Sequence, residues 1–284
     1  MGLRIQNNIE AFNTHRQLTA TSSLASKAME KLSSGYRINR AADDAAGLGI
    51  SEKMRGQIGG LAQAQRNAQD GISLVQTAEG ALGEVHSMLQ RVRDLKVQAN
   101  NGTMDTNDRE AIGAEVVEIA KEVRSILNDT KFNGKTVFGT GDTFKFQVGA
   151  NQGETIDVAA ATLDGAVVSD SLANLTSLSA STATAAATAL SSGSLCDIDR
   201  IDDMIENVSK QRGAYGAIQN RLEHRLTNLA TYQENLTASE SRIRDVDMAA
   251  EMTKFTKLNI LQQAGTSMLA QANQAPQGVL SLLR

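Results

Sequence analysis

Apolar residues recur at every seventh position along the last third of the chain. They are Ile201, Val208, Tyr215, Leu222, Leu229, Leu236 and Ile243, and no proline interrupts the run. Such a repeat keeps one apolar edge in line only when the helix supercoils slowly, in the left-handed sense, against partner helices. The spacing predicts one helix from Ile198 to Ile243, about 65 to 70 Å long at about 1.5 Å per residue. A rod of that length requires rod-shaped partners.

Two further amphipathic helices are predicted in the first half of the chain. The first ends at Asn100-Asn101-Gly102, which is a typical stop signal. The second is expected to begin at Asn107, as its cap, with Glu110 three residues later, and to end before Asn133-Gly134. Their seams are Val75, Ala78, Leu82, Val85, Leu89, Val92, Leu95 and Ala99, then Ile112, Val116, Ile119, Val123 and Ile126. The pattern predicts a mainly α fold, a long antiparallel helical bundle or coiled coil.

Between the predicted rods the hydrophobic period changes to two. Residues Thr143 to Val148 and Thr155 to Val158 alternate as strands do, and turns are expected at Gly139 to Asp142 and Gly149 to Gly153. We expect a small β-hairpin region near the tip of the bundle. Residues 169–195 are rich in Ser, Thr and Ala, which indicates a loose linker or a weak helix.

Both ends of the chain carry apolar stripes. Because termini usually fray in polar sequence, apolar ends are expected to pack on each other or on neighbouring copies. A closed intramolecular hairpin is the simpler alternative, although a lone helix pair leaves much apolar surface in water. Head-to-tail contacts would bury that surface and grow into an open helical filament. The N-terminal stripe continues through Leu18, Leu24, Ala28 and Leu32. The candidate self-assembly residues are Ile5, Ile9, Phe12, Leu258, Leu261, Met268, Leu280, Leu282 and Leu283.

Composition narrows the range of functions. Of the 284 residues 41% are hydrophobic and 3% aromatic, and the formal net charge is -4. Mild acidity argues against nucleic acid as a partner, since phosphate binding requires a clustered basic face. No apolar stretch is long enough to span a bilayer, so no membrane is expected as a partner. Cys196 stands alone and forms no internal disulfide; a buried structural role is favoured over a reactive thiol.

Sequence motifs typical of catalysis, nucleotide binding or metal binding are incomplete in this chain. The three histidines are scattered and form no His-Glu-x-x-His motif. Gly47-Leu48-Gly49 begins like a nucleotide-binding loop, but Glu52 stands where the third glycine belongs. Asp105 to Arg109 begins like a calcium loop, yet Arg109 and Glu110 occupy the positions of a ligand and the turn glycine. We expect a protein without enzymatic activity or cofactor.

Several segments closely resemble bacterial flagellin. Residues 32–39 read Leu-Ser-Ser-Gly-Tyr-Arg-Ile-Asn, and residues 42–48 and 67–73 resemble the same N-terminal region. Residues 216–222 and the tail from Leu261 to Arg284 resemble the C-terminal region. The resemblance covers about the first 150 and the last 90 residues, in order. The short middle indicates a compact member without large outer domains.

The resemblance implies a structural subunit that polymerises into the extracellular flagellar filament for swimming. It also implies an inner-tube helix and connecting segment at 1–45, the first rod part with β-hairpins at 46–168, a variable region at 169–195, the long rod helix at 196–244 and an inner-tube helix at 245–284. The implied partners are further copies, an export chaperone, and the filament cap and hook-junction proteins, after type III export without a cleaved leader. A hook-filament junction protein and a cytoplasmic coiled-coil scaffold are the alternatives.

Two surface features also follow from the resemblance. Gln90 to Leu95 resembles the segment through which flagellins are ligands of host Toll-like receptor 5, and Glu115 aligns with an acidic contact on the following helix. Receptor binding by the monomer through Arg91, Leu95 and Glu115 is therefore implied, and a Leu95 that simply fills the seam is the alternative. Exposed hydroxyl-rich loops in this family can carry O-linked sugars, and a plain linker rich in Ser and Thr is the alternative. The candidate positions are Ser169, Ser171, Thr176, Ser177, Ser179 and Ser181.

Overall fold

The computed structural model describes residues 8–138, 143–159 and 198–282, without the side chains of residues 275–282. Its helices are α1 (Ile9–Ser34), α2 (Ala45–Ala99), α3 (Thr106–Asp129), α4 (Ile198–Arg244) and α5 (Met248–Leu282). Its strands are β1 (Lys131–Phe132), β2 (Lys135–Thr136), β3 (Thr143–Gln147) and β4 (Thr155–Ala159). The mainly α prediction is confirmed. The chain divides into unit 1 (Met1–Ile58 with Glu234–Arg284) and unit 2 (Gly59–Gln233).

Unit 2 is a bundle built on the predicted seams. Side chains of α2 and α4 meet in antiparallel order, with Gln65 bonded to Gln233 and Arg93 bonded to Asp202. The predicted α2 seam is buried throughout, from Val75 to Ala99. The α4 seam is buried from Ile201 through Leu229. In unit 1 its last two members, Leu236 and Ile243, are half-buried. Seven-residue spacing thus marks a closed core within unit 2.

The start of α3 differs from the prediction. Asp105, rather than Asn107, caps this helix, and its side chain accepts a hydrogen bond from the Thr106 amide at 2.7 Å. The Asp108 carboxylate accepts in turn from the Asp105 amide at 3.3 Å, which completes a capping box. A carboxylate at Asp105 therefore satisfies the first amides two residues earlier than an Asn107 cap would.

Two antiparallel hairpins flank the bundle of unit 2. The β1–β2 turn is formed by Asn133 and Gly134, whose φ angles of 50° and 80° suit the Asn-Gly pair. The predicted β3–β4 hairpin is confirmed, and its register pairs Phe146 with Ile156. It lies along the sides of α2 and α4, where the Asn67 amide donates to the Gln147 carbonyl oxygen at 3.0 Å.

Burial of the hairpin's apolar face explains this position. Phe146 packs with Leu222 of α4, and a Cβ on Gly71 of α2 would lie 3.3 Å from each of them. The Arg225 guanidinium also donates to the Val148 carbonyl oxygen at 3.1 Å. These contacts hold the hairpin in the half of unit 2 that is remote from Ala99.

Candidate assembly and receptor surfaces

The helices nearest the two termini pack against each other in unit 1. The Asn8 side-chain amide donates to the Ala272 carbonyl oxygen at 2.7 Å, while Ala25 and Ala28 pack against Leu258. The N-terminal end of α1 therefore lies against the C-terminal part of α5, and the C-terminal half of α1 lies against the N-terminal part of α5. The two helices are antiparallel. This intramolecular pairing was one of the two packing modes expected from the sequence.

The inner seam of this pair is made largely of small side chains. Buried and half-buried positions of α1 follow a three-four spacing: Ala11, Thr14, Leu18, Thr21, Ala25, Ala28 and Leu32. On α5, a Cβ at Gly265 would lie 3.2 Å from the Cδ1 atom of Leu18. Small residues such as Ala25, Ala28 and Gly265 thus pack between larger ones such as Leu18 and Leu258.

Large apolar residues project from the helix pair into solvent. Phe12 is 72% exposed and Met268 is 60% exposed. The exposed set is Ile9, Phe12, Leu24 and Met29 on α1, with Met248, Met252, Ile260, Leu261 and Met268 on α5. The sequence predicts the N-terminal stripe as one face of the helix. In the structure its residues divide between two faces of α1, since Leu18 and Ala28 face α5 and Leu24 faces solvent.

The candidate self-assembly residues divide in the same way. Ile9, Phe12, Leu261 and Met268 are exposed, whereas Leu258 is buried against α1 and packs within the chain. Leu280 and Leu282 belong to α5 without described side chains, and Ile5 and Leu283 lie outside the described residues. The exposed members are the ones whose side chains are open to contact from outside the chain.

The loops that follow α1 and α4 are joined by backbone hydrogen bonds within unit 1. The Arg37 amide donates to the Arg244 carbonyl oxygen at 2.6 Å, and the Val246 amide donates to the Gly35 carbonyl oxygen at 3.0 Å. The Arg37 guanidinium donates to the Ile243 carbonyl oxygen at 2.6 Å. A cation at the carboxyl end of α4 is favoured by the helix dipole.

Arg244 anchors this junction through its side chain. Its guanidinium donates to Glu52 Oε1 at 2.8 Å and lies 4.8 Å from the centre of the Tyr36 ring. The hydrogen bond from Arg244 lowers the pKa of Glu52 from its ordinary value. This cluster was not predictable from the sequence, because Glu52 and Arg244 are 192 residues apart and no local pattern links them.

The predicted receptor residues are brought together in part. Arg91 of α2 and Glu115 of α3 form an ion pair, with the Arg91 Nε atom 2.8 Å from Glu115 Oε1. Their side chains are 56% and 44% exposed. Leu95 is 2% exposed and lies in the core of unit 2, so its side chain offers little surface to a partner.

A second interhelical ion pair lies near the first on α2. The Arg93 guanidinium binds the Asp202 carboxylate of α4 with two hydrogen bonds, of 2.5 and 3.2 Å. The hydrogen bond from Arg93 lowers the pKa of Asp202, and the same contact raises the pKa of Arg93. This bidentate pair joins α2 to α4 on the surface of unit 2.

Other candidate features are not brought into a site. The proposed glycosylation residues between Ser169 and Ser181, and Cys196, lie outside the described residues. In the described ranges, no group of three His, Cys, Asp or Glu residues is placed to hold a metal ion. Among the helices of the same ranges, none is long and apolar enough to cross a bilayer.

Comparison with protein families covers most of the chain. The model of the bacterial flagellin N-terminal helical region matches residues 5–143, and that of the C-terminal helical region matches residues 198–283. The chain belongs to the bacterial flagellin family. This flagellin is therefore a structural subunit of the flagellar filament.

Full-length relatives agree with this assignment. The chain is 52% identical to a flagellin of Halalkalibacterium halodurans over 281 residues, which is 99% of each chain. It is 50% identical to a Bacillus subtilis flagellin over 306 residues, covering 99% of this chain and 100% of the relative. These relatives favour the filament subunit over the hook-junction and scaffold alternatives.

A solved structure supports the fold. Bacillus cereus FlgL matches with a TM-score of 0.51 and 21% identity, over 66% of this flagellin and 97% of that chain. At this identity the likeness concerns the long-helix architecture alone.

Proposed function

We propose that this flagellin polymerises through the outward apolar faces of α1 and α5, which neighbouring copies cover in the filament. The supporting observation is the exposure of Phe12, Ile260 and Met268 on helices whose inner seam is already filled. Large exposed apolar patches mark sites of contact with another molecule. In a filament subunit, a second copy of the chain is the natural occupant.

The energetics favour repeated addition of copies. Burying one large apolar side chain contributes about 1.5 to 3 kcal/mol. Several such side chains per subunit offset the loss of translational and rotational freedom on binding. Because contacts of this head-to-tail kind do not close on themselves, each added copy presents the same faces to the next.

The same reasoning supports a division of roles along the chain. We assign residues 1–45 and 245–284 to the inner tube with its connecting segment, 46–168 and 196–244 to the rod layer, and 169–195 to a short variable region. Unit 2 buries its apolar seams within the chain, whereas the terminal helices of unit 1 leave large apolar side chains exposed. A rod that buries its own apolar seams suits the rod layer. Terminal helices that leave apolar side chains for other copies to cover suit the inner tube.

We place the assembled protein outside the cell, in the flagellum. The flagellin resemblance supports type III export through the central channel, with an export chaperone holding the chain before export. It also supports contacts with the filament cap and hook-junction proteins at the two ends of the filament.

Recognition of the monomer by host Toll-like receptor 5 is a further part of the proposal. Arg91 and Glu115 carry it, since both side chains are exposed and lie on neighbouring helices. Leu95 supports the surface from within by packing in the core of unit 2. Receptor groups would approach the guanidinium and carboxylate from solvent and compete with their mutual hydrogen bond.

Seeded elongation tests the assembly proposal. The double substitution Phe12→Ser and Ile260→Ser removes two outward apolar side chains and leaves the inner seam unchanged. We expect a monomer with an unaltered circular dichroism spectrum that elongates filament seeds several-fold more slowly, as light scattering measures. Gln263→Ser, an exposed polar change on α5, is the matched control and should elongate normally. Normal elongation by the double variant would overturn the proposed interface.

A further inference from the structure

Exposed methionines of this flagellin lie on the terminal helices. Met29 of α1 and Met248, Met252 and Met268 of α5 are about half exposed or more. The other methionines with described side chains are more covered: Met54, Met88 and Met104 are half-buried and Met204 is buried. The exposed thioethers thus fall on the helices whose outward faces are proposed to mediate assembly.

We propose that Met29, Met248, Met252 and Met268 are sites of oxidative modification that control whether a monomer can join the filament. The inference rests on the proposed function, because it requires these side chains to be covered when copies assemble. Hydrogen peroxide is the oxidant, and the unassembled monomer is the form that reacts.

The positions of the four side chains fit such a role. Met248 and Met252 are one helical turn apart on α5 and lie side by side. Met268 follows Leu261 by two turns and shares its exposed face. Met29 is next to Ala28, which is buried against α5, so Met29 borders the inner seam from outside. Each of the four side chains is therefore exposed on a terminal helix and lies outside the core.

The chemistry needs one equivalent of hydrogen peroxide per methionine. A lone pair of the thioether sulfur attacks one peroxide oxygen, the O–O bond breaks, and an S–O bond forms. The second oxygen leaves as water after proton transfer. Sulfur loses two electrons and peroxide gains them, so a sulfoxide replaces the thioether. Methionine sulfoxide reductases reverse the change.

A sulfoxide at these positions opposes assembly. Its oxygen is a strong hydrogen-bond acceptor, and covering it with an apolar face removes its water without supplying a donor. The inner α1–α5 seam, made of other residues, is left intact. Oxidation should therefore leave the monomer folded while weakening its addition to a filament end. Once assembled, the same sulfurs would be covered and shielded from peroxide.

Peroxide treatment of purified full-length monomer tests the inference. Mass spectrometry of peptides gives the oxidised fraction of each methionine, and seeded elongation gives the rate before and after treatment. We expect the four sites to oxidise first, elongation to fall several-fold, and reductase treatment to restore it. In filaments the same sites should oxidise more slowly than in monomer.

Substitutions separate these sites from the other methionines. The fourfold variant Met29→Leu, Met248→Leu, Met252→Leu and Met268→Leu should elongate seeds equally well before and after peroxide. The control Met88→Leu with Met104→Leu should remain sensitive. If the fourfold variant elongates poorly when untreated, the pairs Met29→Leu with Met268→Leu and Met248→Leu with Met252→Leu replace it. Each pair should then lose part of the sensitivity.

Two results would overturn the inference in distinguishable ways. Monomer that carries all four sulfoxides and still elongates seeds at the untreated rate contradicts the proposed regulation of assembly by oxidation. The proposed assembly function would then still stand. Wild-type monomer that fails to elongate seeds before any treatment contradicts the proposed assembly function. The proposed regulation by oxidation is then contradicted as well, because it depends on that function.

Discussion

Arg91 of α2 and Glu115 of α3 form an exposed ion pair, with a guanidinium nitrogen 2.7 Å from Glu115 Oε1. Removing the guanidinium by Arg91→Ala should change the free energy of unfolding by no more than about 1 kcal/mol, because exposed ion pairs contribute little. An arginine that anchors an interface is worth about 2 kcal/mol or more. We therefore expect unchanged circular dichroism and at least a several-fold loss of Toll-like receptor 5 activation in reporter cells.

Lys121→Ala provides the matched control for this substitution. Lys121 forms a comparable exposed ion pair with Glu118 on α3. The Lys121→Ala substitution should leave both the circular dichroism spectrum and the Toll-like receptor 5 reporter signal unchanged. Equal signalling by folded Arg91→Ala and wild-type monomers would reject Arg91 as a receptor contact.

The Arg93–Asp202 pair predicts a specific pH dependence. Because Asp202 has a lower pKa in the folded chain than in the unfolded chain, its contribution is fully present above the ordinary aspartate pKa. The contribution is lost as the pH falls through the lowered value. The stability difference between wild type and Asp202→Asn should therefore be largest near neutral pH and shrink in acid.

A double-mutant cycle with Arg93→Gln isolates this contact. The coupling free energy between positions 93 and 202, taken from urea unfolding at a series of pH values, should follow the same decline. A coupling that stays constant from neutral to strongly acidic pH would show that Asp202 does not titrate against Arg93.

Two glycines near the start of α2 should respond oppositely to alanine. A Cβ at the buried Gly47 would lie 2.8 Å from both Asp44 Cγ and Ile38 Cδ1. Asp44 also caps this helix by accepting from the Gly47 amide at 2.9 Å. We expect Gly47→Ala to cost about 1 to 3 kcal/mol through overpacking and a disturbed cap.

Gly49→Ala is the paired control, since a Cβ there meets no atom within 4 Å. It should stabilise by up to about 1 kcal/mol through helix propensity. Thermal unfolding followed by circular dichroism compares the two variants. A Gly47→Ala chain that melts at the same temperature as the Gly49→Ala chain would contradict the packing described around Ile38.

Periodic features of the fold were predictable from the sequence because each depends on local spacing. The α4 seam from Ile201 to Leu229 and the alternation that forms β3 and β4 are examples. The cap of α3 was misplaced by two residues because Asp105 and Asn107 are both good capping residues, and side-chain geometry decides between them.

The candidate surfaces were less predictable because they depend on how helices face one another. An apolar stripe does not reveal that Ala28 turns inward and Leu24 outward until the partner helix is known. Leu95 likewise belongs to both the receptor segment and the core seam, and burial assigns its side chain to the core. Contacts such as Glu52 with Arg244 require the whole topology.

Truncation after Gln274 tests most directly whether the apolar ends of the chain drive assembly. The variant loses the last part of α5, including Val279 and Leu280, while the α4 seam is complete. We predict a monomer that retains its long helices by circular dichroism and adds no length to filament seeds in electron micrographs or light scattering. Filaments that grow from the truncated chain at the full-length rate would contradict the account.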